Sequence, residues 1–192
     1  MKKKILVLAA LAIAIAIAAT GTLAYFTATG TARNVITSGG ISIAIEEKTL
    51  SGDGLVDFPR DGLKDVMPGT SASKIVRVKN TGPNEAWIRV KVEASITSAD
   101  GKTLPDTLAG GTPVINFEIL SGWTKGSDGY YYYEKPVANG EKTSELLREV
   151  AFAAKMGNEY QGCKADLLIT AQAVQTANNG AKVTEAKGWP KA

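Results

Sequence analysis

The chain has 192 residues, 44% of them apolar and 7% aromatic, with 20 glycines, which suits one domain of short strands and turns with a real core. Lys2, Lys3 and Lys4 account for the formal charge of +3, since the other 19 of the 22 basic residues balance 19 acidic ones; this leaves no electrostatic case for nucleic acid or an anionic surface. Histidine is absent and Cys163 is the single cysteine, which excludes histidine triads, HExxH zinc sites, a histidine general base and an internal disulfide.

Residues 1–24 have the form of a signal peptide: the basic Lys2–Lys4, an uncharged run from Ile5 to Ala19, then Thr20-Gly21-Thr22-Leu23-Ala24. Thr22 and Ala24 occupy the −3 and −1 positions of a signal-peptidase site, with Tyr25 as the new N-terminus. A retained membrane helix is the competing reading, because no charge appears between Lys4 and Arg33. Against it, Thr20, Gly21 and Thr22 interrupt the apolar run, and no basic cluster follows. Both readings put the bulk of the chain outside, with the membrane met only through residues 1–24 before cleavage.

Residues 25–36 come next. In Phe26-Thr27-Ala28-Thr29-Gly30-Thr31-Ala32 the threonines fall on one face of an extended strand, and Phe26, Ala28, Gly30 and Ala32 on the other. One large anchor followed by very small groups buries too little to hold a strand alone, but fits a narrow groove at a sheet edge. Pairing within its own domain and a loose leader are the alternatives.

Residues 37–178 read as a series of strands. Ile41, Ile43 and Ile45 alternate with polar or small neighbours, and residues 49–65, rich in Gly and Asp, read as a loop. Met67-Pro68-Gly69-Thr70 is a turn into Ile75–Lys79, and Asn80-Thr81-Gly82 is a turn into Ala86–Thr97. Val114–Leu120 and Tyr130–Glu134 continue the pattern, with Ser127-Asp128-Gly129 as a tight turn. Leu147–Phe152 reads as a strand despite its good helix formers, and Lys164–Thr176 alternates again. Eight or so strands without a long amphipathic helix predict an all-β, jelly-roll-like β-sandwich, preceded by the cleaved signal peptide and followed by a loosely held polar tail, residues 179–192.

The stretch "GTLAYFTATGTARNVITSGGISIAIEE" closely resembles the start of proteins exported through a SipW-like signal peptidase. The shared features are Ala24-Tyr25-Phe26-Thr27, Asn34, then Gly39 or Gly40 before Ile41–Glu46. "VMPGTSASKIVRVKNTGPNEAWIRVKV", "DGYYYYEKPVANGEKTSELLREV" and "LLITAQAVQ" extend the likeness over nearly the whole chain. The chain thus resembles the TasA/camelysin family of bacterial surface and biofilm-matrix proteins. The resemblance implies a secreted Gram-positive jelly-roll subunit, at the cell surface or in the matrix, that polymerises with its own kind. Phe26, Ala28, Gly30 and Ala32 would form the apolar face of a donor strand lodged in the neighbour's sheet. A camelysin-like metallo-endopeptidase is the enzymatic alternative, and a membrane-retained adhesion protein the other.

Other candidates weigh less. Asp53, Asp57, Asp61 and Asp65 lack EF-hand spacing and read as a solvated acidic loop. Tyr130–Tyr133 reads as core plus ordinary surface, and Cys163 as a buried small residue. "KGWPKA" carries no sorting signal for covalent wall attachment. No catalytic residue, metal or cofactor is expected, and the partners are neighbouring subunits and, during export, signal peptidase.

Overall fold

The computed structural model describes residues 26–34, 40–60 and 63–190, with 26–34 and 63–66 as backbone. The predicted leader, residues 1–24, lies outside the described residues. Thirteen strands and two short 3-10 turns, Asn158–Tyr160 and Val183–Glu185, make up the regular structure there. The strands are β1 (Phe26–Asn34), β2 (Ile43–Ser51), β3 (Gly54–Asp57), β4 (Leu63–Val66), β5 (Ser71–Ser73), β6 (Ile75–Asn80) and β7 (Ala86–Thr97). They continue as β8 (Thr103–Leu104), β9 (Ile115–Asn116), β10 (Trp123–Lys125), β11 (Tyr131–Tyr133), β12 (Glu149–Phe152) and β13 (Lys164–Gln175). The fold is all-β and mostly antiparallel.

The main sheet is seven-stranded, in the order β10-β11-β7-β13-β1-β4, with β8 paired to β7. Its spine is the antiparallel β7–β13 pair, which runs from Lys164↔Thr97 to Gln175↔Ala86. Alternate members of both strands, such as Ile88, Val90, Leu167 and Ile169, enter the core, as period-two patterning requires. Near Trp87 and Val174 both faces of this pair are buried, because the C-terminal segment covers the outer one with Val183 and Ala186.

Opposite lie two three-stranded sheets, β3-β2-β6 and β5-β12-β9. Backbone bonds join them: Lys74 N–H to Arg148 O at 2.9 Å and Leu146 N–H to Val76 O at 2.8 Å. Together they form one layer with β3 at one lateral edge and β9 at the other. Ile43, Val76, Val78, Leu146 and Leu147 from this layer pack on the main sheet in a single core.

The Asn80-Thr81-Gly82 turn has a clear physical basis. The Asn80 amide donates to Asn84 O and Val137 O, both at 2.8 Å, and accepts from Gly82 N–H at 2.9 Å. A Cβ on Gly82 would lie 2.5 Å from Ser42 N and 2.8 Å from Gly40 O, so only glycine fits between these backbones.

Three expectations need correction. Residues 49–65 are not a loop: β2 runs on to Ser51, turns through Gly52 at φ +57°, and returns as β3, while β4 follows at Leu63–Val66. Gly and Asp there mark a hairpin turn, and Leu50, Leu55 and Val56 are its strand residues. Of Val114–Leu120 only Ile115–Asn116 is strand, since the next residues leave the β12 ladder and Leu120 N–H bonds Leu146 O at 2.9 Å. The tail after Asn178 is docked through Val183, Ala186 and Trp189.

Candidate assembly site

In this single chain β1 lies inside its own main sheet, between β13 and β4. It runs parallel to β13 through eight residue pairs, from Thr27↔Lys164 to Asn34↔Ala171. On its other side it meets β4 antiparallel at Phe26↔Val66 and Ala28↔Leu63, with an irregularity between the two. Ala28, Gly30 and Ala32 stand level with Ala165, Leu167 and Ile169, all buried members of β13. Thr27, Thr29 and Thr31 stand level with Lys164, Asp166 and Leu168, which are exposed or half-buried. The two sets read from the threonine alternation therefore match the two sets of the neighbouring strand.

The slot has two unequal walls. β13 is anchored along its length by β7. β4 is four residues long and has β1 as its strand partner in the sheet order. Thr22, Ala24 and Tyr25 of the expected cleavage site lie outside the described residues.

Sequence reasoning missed a second constellation. Arg89 on β7 is flanked in register by Gln172 on β13 and Tyr132 on β11. Its Nε and Nη2 donate to Gln172 Oε1 at 2.9 and 2.7 Å, and its Nη1 to Asp128 Oδ2 at 2.8 Å and the Tyr132 hydroxyl at 3.0 Å. The guanidinium stacks 4.0 Å from the Tyr130 ring and 4.6 Å from Trp189, which also meets Tyr132 edge-on at 5.8 Å. Burial works against the Asp128 carboxylate, but hydrogen bonds from the Tyr132 hydroxyl and the Tyr130 N–H, with Arg89 beside it, hold its pKa below the usual carboxylate value. The available signal was an arginine and a glutamine within otherwise apolar strand segments, "WIRV" and "TAQAV". Every polar end is met inside the chain, so the cluster pins the C-terminal segment to the sheet.

Cys163 is buried, and burial raises its thiol pKa above the ordinary value. Tyr130 is buried and Tyr131–Tyr133 half-buried. Among the described residues no three His, Cys, Asp or Glu side chains converge to hold a metal ion, and no helix is long and apolar enough to cross a membrane. Comparison of the chain with protein-family models, curated proteins and solved structures finds no match in any of the three.

Proposed function

We propose that the chain is a secreted, non-enzymatic subunit, jelly-roll in topology, that polymerises into extracellular fibres by lending residues 25–36 to the sheet of the next copy. The supporting observation is the seat of β1. It is a near-terminal strand held on both flanks by main-chain ladders, level with the buried positions of β13 and followed by a connection to β2. Once residues 1–24 are removed, such a strand can leave and re-enter without threading chain through a loop. The bonds it makes in its own slot are the bonds it would make in an identical slot next door, so exchange changes the partner and keeps the ladder. One strand given and one received by each copy is a head-to-tail relation, whose product is a filament when successive rotations do not close into a ring.

Two substitutions test the register. Phe26→Asp places a charge on the apolar set read from the alternation, whose members Ala28, Gly30 and Ala32 stand level with buried residues of β13, and Thr29→Asp on the other set. Elongation of the mature chain, followed by light scattering and electron microscopy, is expected to fall at least tenfold more for Phe26→Asp, about 1.4 kcal/mol of contact or more. Equal effects would refute the proposed face.

A further inference from the structure

The chain contains the dipeptide Asn-Gly twice, as Asn139-Gly140 in "VANGEK" and as Asn179-Gly180 in "ANNGAK". In this dipeptide the side-chain carboxamide is unusually open to attack by the next backbone nitrogen, because glycine has no Cβ to shield that nitrogen. The two sites are alike in sequence, but the fold holds them differently. Asn139 and Gly140 are the central residues of an exposed turn in which Glu141 N–H donates to Ala138 O at 3.1 Å. Gly140 has a φ of +81°, the left-handed value that turns reserve for glycine, and a Cβ built there would meet no atom within 4 Å. The Asn139 carboxamide has no hydrogen-bond partner among the described residues. One bond restrains the attacking nitrogen, from Gly140 N–H to Asn80 O at 2.9 Å. A single bond at the rim of an exposed turn opens locally at low cost.

Asn179 is held at both ends of its carboxamide. Its Nδ2 donates to Gln175 O and Lys187 O, both at 3.0 Å, and its Oδ1 accepts from Lys187 N–H at 2.8 Å. These bonds tie the end of β13 to the C-terminal segment, which Trp189 and Arg89 clamp to the sheet. The turn is also crowded, since a Cβ on Gly180 would lie 3.1 Å from Glu185 backbone and side chain. Rotation of this side chain towards Gly180 N therefore requires the clamp to open.

We infer that Asn139 is a site of spontaneous covalent modification in the folded chain, and that Asn179 is shielded from the same reaction. Gly140 N attacks Asn139 Cγ; a C–N bond forms, the Cγ–Nδ2 bond breaks, and the amide proton leaves with Nδ2 as ammonia. The product is a cyclic succinimide. Water then opens one or other of its carbonyls and leaves aspartate or isoaspartate at position 139. The reaction takes only water and uses no enzyme, metal or oxidant. Both products add a negative charge next to Glu141. The isoaspartate form also lengthens the main chain by a methylene, which draws Gly140 N–H away from Asn80, the residue that organises the Asn80-Thr81-Gly82 turn.

The test incubates the mature chain, residues 25–192, at mildly alkaline pH, folded in buffer and unfolded in guanidinium chloride. Peptide mass spectrometry follows the amide-to-acid exchange at each site, and fragmentation separates aspartate from isoaspartate. Unfolded, the two sites are expected to convert at similar rates, as their shared dipeptide dictates. Folded, Asn139 is expected to convert roughly tenfold or more faster than Asn179, because one restraining bond opens more often than a clamped segment. Trp189→Ala is expected to raise conversion at Asn179 and to leave Asn139 unchanged. Equal rates in the folded chain, faster conversion at Asn179, or an Asn139 that stays intact until the chain unfolds would overturn the inference. An Asn179 rate unmoved by Trp189→Ala would overturn the assignment of its shielding to the C-terminal clamp. Strand donation stands or falls separately from all of these outcomes.

Discussion

Lys74 shows how residue chemistry constrains this fold. It is 3% exposed, its Nζ lies 2.7 Å from Glu47 Oε1 and 3.8 Å from the Phe58 ring centre, and neither charged atom has a further hydrogen-bond partner. Burial lowers the pKa of the ammonium, and Glu47 only partly opposes that. A buried pair of this kind is expensive to break and dispensable when removed whole. Lys74→Met alone is therefore expected to destabilise the chain by about 3–5 kcal/mol, because it strands the Glu47 charge. Lys74→Met with Glu47→Leu is expected to melt at or above the wild-type temperature. Urea unfolding of the wild type and the two variants checks this, and a double variant no more stable than Lys74→Met alone would contradict it. None of this was legible in the sequence, where Lys74 reads as one polar residue before a strand; the pair is set by β2 meeting the β5–β6 bend.

Strands were legible in proportion to how local their cause is. β7 was read to its observed bounds and β13 to within one residue, because apolar residues alternating with others through most of each strand are written in the sequence itself. β3 was hidden because Leu55-Val56 is short and flanked by Gly and Asp, which read as loop when its partner β2 is ignored. The alternation of β1 was legible, but its neighbours were not: periodicity assigns faces and never partners. The C-terminal segment was misread for a similar reason, since Trp189 is held by Arg89, a hundred residues earlier. Trp189→Ala is expected to cost about 1–2 kcal/mol through the lost contact with Arg89 and Tyr132. It should also raise hydrogen exchange in residues 177–190 well above that of the β7–β13 pair. Unchanged exchange there would mean that the segment is held by something other than this clamp.

At the scale of the molecule, two features stand out. One is β1, seated by backbone pairing between β13 and β4 of its own sheet, and the other an exposed apolar arm, β2–β3, at the edge of the opposite layer. The all-β class was readable early, whereas the single-chain seat of β1 beside β13 required the structure. That seat supplies the most direct measurement of strand donation. Thr29 and Asp166 are laterally paired neighbours in the parallel ladder, within the range a disulfide spans, and native Cys163 is buried away from exchange. In mature chain carrying Thr29→Cys and Asp166→Cys, oxidation at low concentration should lock β1 into its own sheet. The account predicts that this locked monomer does not elongate and that reduction restores growth. Fibres that grow equally well from the oxidised, internally bridged chain would contradict it.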